Sequence, residues 1–208
     1  MQRRRLFQMG AAGIGVLGLT LVAGWWQVDG PGAPDPDPLR PLSLSAMDFR
    51  MTDHEGNAVN PRTLTGRASM VFFGFTYCPD VCPTTLSDIS DWLDGMGDDA
   101  EQLNVVFITV DPARDTVDAM ADYVSYFHPA IRGWVGQPEQ IARAAKDFRA
   151  AYEKVLTNDG DYTMNHTASV FLFGTDGQFV STIDYHEKRE FAVPKIRRAM
   201  KRGAKETS

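Results

Sequence analysis

The sequence predicts an α/β fold: a central mixed sheet flanked by helices, entered through an N-terminal hairpin and preceded by one transmembrane helix. Three observations carry this. Short apolar runs, of the kind buried on both faces of a sheet, alternate with stretches of helical spacing. Pairs of strand-like runs separated by Gly-containing turns stand near both ends of that region, adding antiparallel strands to a parallel centre. The segment Leu6–Trp26 contains no charged residue at all.

At about 1.5 Å per helical residue, that segment crosses a hydrocarbon layer of about 30 Å. Arg3, Arg4 and Arg5 stand directly before it, so the positive-inside rule keeps the N-terminus cytoplasmic and exports everything after Trp26. Trp25 and Trp26 lie where an interfacial belt anchors a retained helix, which favours an anchor at residues 1–26 over a cleaved signal peptide. Pro31, Pro34, Pro36, Pro38 and Pro41 follow within a short span. So many prolines exclude a packed helix or strand, and residues 27–42 are expected to form an extended stalk reaching roughly 45 Å. Residues 43–208 are then the working domain.

Within it, Phe49–Asp53 and Ala58 flank the turn signal His54-Glu-Gly-Asn57. Ala68–Phe75 reads as a buried strand, and Thr84–Leu93 has helical spacing and stops at Gly95 and Gly97. Leu103–Val110 is a second buried strand. Asp115 is placed to cap the helix carrying Val117, Met120, Val124 and Phe127. A short strand surrounds Trp134, a helix is expected from Pro138 to Tyr152, and Thr157–Asp161 is a polar excursion. Ser169–Phe173 and Phe179–Ile183 form a hairpin closed by Thr175-Asp-Gly-Gln178, and a last helix runs from Phe191 to about Arg202.

Composition narrows the function. With 208 residues, 43% of them hydrophobic and 23% charged, the chain has material for one ordinary core. Its formal charge of -6 excludes a general nucleic-acid binder, which needs a basic face against phosphate. Because the leading arginines belong to the anchor, the exported part is more acidic still. The chain has only 2 cysteines, too few for a four-thiolate site or a disulfide-stapled scaffold.

Those two, Cys78 and Cys82, lie in Thr76-Tyr-Cys-Pro-Asp-Val-Cys-Pro83, where a strand end meets a helix start. Pro83 cannot lie deep in a helix, so Cys82 must sit near its N-terminus, where free N–H groups and the helix dipole favour thiolates. Both sulfurs can therefore be anionic and face one side. A disulfide between residues four apart closes a small loop and removes little chain entropy. Of the histidines, His54, His128 and His186 read as solvated turn or helix-end residues. His166 enters the strand Ser169–Phe173 and can pass beside the cysteine loop, although spacing alone does not single it out.

Phe73-Gly-Phe-Thr-Tyr-Cys-Pro-Asp-Val-Cys-Pro83, Val110-Asp-Pro-Ala-Arg-Asp115 and Asn165-His-Thr167 before Phe171-Leu-Phe-Gly174 together resemble the Sco/SenC copper proteins. The resemblance covers nearly everything after the stalk, and an N-terminal anchor with an exported domain matches that family's layout. It implies a thioredoxin-like fold, copper as the bound metal, and Cys78, Cys82 and His166 as its ligands. It further implies a chaperone in the periplasm, held by a single pass of the inner membrane, that receives copper from an upstream donor and delivers it to the copper-site subunit of a respiratory oxidase. The sequence departs from the family at Asn165, where an acidic residue is common.

Two thiolates and an imidazole are soft donors suited to Cu(I), and they can also hold Cu(II). Zinc is a weaker match, with Asp80 as a poor fourth ligand. Asp111 reads as a turn-tying residue beside Pro112, and Met164 as packing. The rival reading from the enzyme class is a thiol-disulfide oxidoreductase acting through Cys78 and Cys82. Redox members of such folds usually place two residues between the cysteines, whereas this chain has Pro79, Asp80 and Val81, and such an enzyme leaves His166 without a task. A redox sensor using the same pair is the third reading.

Overall fold

The computed structural model describes residues 40–203. The expected anchor at 1–26 and most of the stalk at 27–42 lie outside them. Among the described residues, no helix is long and apolar enough to cross a membrane. The compact unit starts at Arg40, and by Leu42 the chain is already attached, its N–H donating to Asp147 O at 3.0 Å.

The first hairpin pairs β1 (Met51–Asp53) with β2 (Ala58–Val59). Asp53 builds the turn by accepting the N–H groups of Glu55 and Asn57 at 3.0 and 2.9 Å, and Gly56 supplies the φ of +89° that the reversal requires. Then come β3 (Ala68–Gly74), α1 (Val81–Asp94), β4 (Leu103–Thr109), α2 (Val117–Val124), β5 (Ile131–Val135) and α3 (Pro138–Phe148). Every residue of β3 is buried, and all but Asn104 of β4, as their unbroken apolar runs demand. The chain continues through β6 (Tyr152–Leu156), β7 (Tyr162–His166), β8 (Val170–Phe173), β9 (Phe179–Ile183) and α4 (Arg189–Lys201).

Seven strands form one mixed sheet in the order β2-β1-β5-β4-β3-β8-β9. Its centre is parallel, β3 with β4 and β4 with β5, while β1 and β8 join antiparallel on either side. The expected α/β architecture is therefore present. Helices cover both faces: Tyr123 of α2 meets Phe107 with ring centroids 5.8 Å apart, and Phe148 of α3 meets Phe73 on the opposite face at 5.2 Å. A separate two-stranded sheet, β6 with β7, is not hydrogen-bonded to the seven.

Three local expectations are corrected. The third helix ends at Phe148 rather than Tyr152, because Arg149 adopts the left-handed conformation (φ 57°) and its N–H closes the helix on Ala145 O and Lys146 O. Tyr152 instead opens β6, and the polar excursion Thr157–Asp161 is the turn of the β6–β7 hairpin. The cap of α2 is Thr116, whose side chain accepts Ala119 N–H at 3.1 Å. Asp115 turns inward.

Candidate metal centre

The parallel strands β3 and β4 end side by side, and the chain leaves β3 at Gly74 into the cysteine loop. Asp80 is the residue before α1, Val81 its first and Cys82 its second. This places Cys82 in the first turn, as Pro83 requires. A Cβ at Gly74 would lie 2.7 Å from Cys82 Sγ and 2.6 Å from Phe107 Cε2. Only glycine lets this sulfur settle against the sheet. Cys82 is fully buried, Cys78 is half-buried, and both are free thiols.

His166 ends β7, opposite Tyr152 in register. Its ring stands edge-on between Phe72 and Phe75, each 5.9 Å away between centroids. Nδ1 lies 3.0 Å from the carbonyl of Thr167 and Nε2 lies 3.3 Å from Cys82 Sγ. A carbonyl oxygen only accepts, so the proton belongs on Nδ1 and the free lone pair of Nε2 faces the sulfur. That is the state a metal-binding imidazole needs. The donor atoms of Cys78, Cys82 and His166 all lie within 4.8 Å of one another. Asp80 is not part of the cluster, and His54, His128 and His186 stand elsewhere.

The two thiols differ in the metal-free protein. Cys78 is pulled down to about 4, first by the hydrogen bond from the Cys82 thiol and then by the N–H groups of Asp80 and Cys82, against the cost of burial. The Cys82 N–H donates to Cys78 Sγ at 3.3 Å. Burial and the anionic neighbour push Cys82 up, well above the thiol range. Without a metal cation, the pair holds one negative charge, on Cys78.

Around the cluster stand further groups that shape it. Asp115, 2% exposed, accepts the hydroxyl of Thr76 at 2.6 Å, the N–H of Thr76 at 3.1 Å and the hydroxyl of Thr109, fastening the cysteine loop to the end of β4. Asp111 ties its own turn, as expected, by accepting from Arg114, and it also takes the Tyr162 hydroxyl at 2.9 Å. Met164 is packed in the core. Tyr123 carries a buried hydroxyl with no hydrogen-bond partner among the described residues. Asn165 is exposed and alternates away from His166 along β7, so its departure from the family pattern leaves the donor cluster untouched.

The SCO1/SenC family model matches residues 39–201, which contain the whole cluster. The chain belongs to the SCO1/SenC family. It is 39% identical over 153 residues to the mitochondrial SCO2 homolog of Danio rerio, covering 72% of this chain and 54% of that protein. Among solved structures it is similar to Bradyrhizobium japonicum ScoI with copper bound, with 45% identity and a TM-score of 0.68 over 73% of this chain and 97% of that one. It is also similar to yeast Sco1 with copper bound, with 31% identity and a TM-score of 0.68 over 76% of this chain and 87% of that one. The chain spans about half to two thirds of the length of the first curated relatives it matches. These likenesses establish the thioredoxin-like fold of the family, and the donors this SCO1/SenC chain brings together are the set its sequence pointed to.

Proposed function

We propose that this protein is a copper chaperone that holds copper through Cys78, Cys82 and His166 and delivers it to the copper-site subunit of a respiratory oxidase. The observation that carries the proposal is the convergence of two sulfurs and one imidazole nitrogen within 4.8 Å. Two relatives of this SCO1/SenC chain are known with copper bound, and the donor set suits that metal. Thiolates select Cu(I), and imidazole also serves Cu(II). With both thiols deprotonated, Cu(I) leaves the site with one net negative charge.

The asymmetry of the thiols fits a carrier. Cys78, half-buried where Cys82 is fully buried, is the anion that meets incoming copper. Cys82 releases its proton only when a cation takes the place of that proton, so loading expels about one proton at neutral pH. In delivery, a thiolate of the acceptor attacks from the Cys78 side, because Cys82 is walled in by Gly74 and Phe107. Oxidation to a disulfide removes both sulfur donors and blocks loading. Residues 1–26 are proposed as an inner-membrane anchor and 27–42 as a stalk, holding the domain from 43 onward in the periplasm; the uncharged run after three arginines supports this.

One observation favours a second reading, a thiol-disulfide reductase of oxidase-subunit cysteines: a half-buried thiol held at about 4 beside a buried partner is also a nucleophile with its resolving cysteine. One experiment separates the two. The full chain, reduced and kept in detergent, is titrated with Cu(I) and Cu(II) beside His166→Ala and Cys82→Ser. The chaperone reading expects one copper per chain and a thiolate-to-copper absorption band that both variants weaken. Unchanged binding in His166→Ala removes the ligand set. Fast turnover of disulfide substrates by copper-free protein, indifferent to His166→Ala, establishes the reductase.

A further inference from the structure

His166 reaches the cysteines from a hairpin that the main sheet does not hold. Strands β6 and β7 form their own two-stranded sheet, and an isolated hairpin of five-residue strands is marginal in water. Its root is tied where Thr167 N–H donates to Ala151 O at 2.9 Å. Its exposed face carries Glu153 and Asn165. Tyr162, Met164 and His166 share the inward face of β7, following the two-residue period of a strand. Met164 seats the middle of β7 in the core, and the far end, near Tyr162, is fastened in addition.

Arg114 fastens it. Its guanidinium lies 3.8 Å from the centroid of the Tyr162 ring, and its Nη1 donates to the Tyr162 carbonyl at 3.1 Å. Its Nε donates to Asp111, which accepts the Tyr162 hydroxyl through its other oxygen at 2.9 Å. The same guanidinium is 4.9 Å from the ring of Tyr77, the residue before Cys78. One planar cation thus joins the loop after β4, the cysteine loop and the hairpin that carries the imidazole. A fork that stacks and bonds at once is a task lysine cannot copy.

We propose that Arg114 is a positioning residue for copper binding: through Tyr162 it holds the β6–β7 hairpin at the tilt that aims His166 Nε2 at Cys82. The inference deepens the copper reading and rests on it. His166 lies at the hairpin root, so releasing the clamp rotates the imidazole about Thr167 more than it carries it away. The third ligand then loosens while both thiolates stay in place.

The test is a double-mutant cycle on the full chain in detergent, reading Cu(I) affinity by competition with a chromophoric chelator. Arg114→Ala is expected to weaken binding about tenfold beside His166, within the range for residues that orient metal ligands, and to change nothing beyond about twofold in the His166→Ala background. The nitrogen hyperfine lines of the Cu(II) form weaken in Arg114→Ala with the thiolate band retained. Hydrogen exchange on metal-free protein rises in β6–β7 and stays constant in β3 and β4. Equal weakening in both backgrounds, or none in either, overturns the clamp. His166→Ala without any loss of affinity overturns the ligand set instead, and the metal-free exchange then decides the clamp by itself: unchanged protection in β6–β7 refutes it. Should Arg114→Ala fail to fold, Tyr162→Phe, which removes only the hydroxyl bond to Asp111, replaces it in the cycle with an expected loss of about threefold.

Discussion

The backbone N–H of Cys82 donates to the sulfur of Cys78 at 3.3 Å, so the first turn of α1 stabilises a thiolate in the loop before the helix, not the one inside it. Helix-end donors act on whichever atom lies in front of them. Cys82 is too deeply buried to ionise first.

This division predicts opposite pH behaviour for the two thiols. In metal-free protein, alkylation of Cys78 should follow a titration centred near pH 4, and Cys82→Ala should move it upward toward the ordinary value of 9.0, since the Cys82 thiol is the largest cause of the depression. Between these pH values the native state holds a thiolate and the unfolded chain a thiol. The stability contributed by Cys78 is therefore complete above 9, and is lost as pH falls through about 4. Above pH 9 the raised Cys82 acts with the opposite sign, because only the unfolded chain then loses that proton. The difference in unfolding free energy between wild type and Cys78→Ser should widen from pH 5 to pH 8, as read from urea denaturation of reduced protein.

Gly74→Ala tests the space beneath the buried sulfur. The added methyl falls 2.7 Å from Cys82 Sγ and 2.6 Å from a carbon of Phe107, and neither atom is the free end of a flexible side chain. Overpacking of this kind costs about 1–3 kcal/mol. The displacement also moves one donor of the cluster, so copper affinity should fall together with the denaturation midpoint. A variant with wild-type values for both would show that the sulfur does not depend on the glycine.

Asp115 shows how much of the site the sequence leaves hidden. Burial pushes its carboxyl up, while the hydroxyls of Thr109 and Thr76 and the Thr76 N–H pull the other way. Asp115→Ala strands the buried Thr109 hydroxyl and two partly buried donors of Thr76, and should cost about 3 kcal/mol or more. Asp115→Asn keeps an acceptor for the Thr76 N–H and removes a poorly solvated charge, so it should lie within about 1 kcal/mol of wild type at pH 7. Chemical denaturation of the two variants beside wild type checks the contrast.

The strand β3, the helix start at the cysteines and the strand β4 were legible because apolar runs and Pro83 carry local physical information. His166 was not legible from spacing; it rose above the other histidines only through the motif around it. The β6–β7 hairpin escaped because Glu153 and Lys154 break the alternation expected of a half-buried strand. Arg149 hid the end of α3, since nothing in Phe-Arg-Ala-Ala-Tyr signals a left-handed residue. Asp115 reads as a cap because sequence cannot tell an aspartate that faces a helix end from one that turns toward Thr76 and Thr109, whose partnership spans up to 39 residues.

Tyr123 supports the last prediction. Its ring is packed against Phe107 at 5.8 Å and Phe127 at 5.4 Å, so the aromatic body is used. Its hydroxyl is buried without a hydrogen-bond partner among the described residues, and burial, reinforced by the neighbouring cysteine pair, raises its pKa and keeps it protonated. A buried donor with no acceptor costs about 1–3 kcal/mol relative to a paired one. Tyr123→Phe retains the ring and deletes only that cost. The metal-free variant should match wild type or exceed it by up to about 1 kcal/mol in denaturant unfolding, whereas most substitutions at a packed aromatic destabilise. A loss above 1 kcal/mol would show that the hydroxyl is hydrogen-bonded in solution.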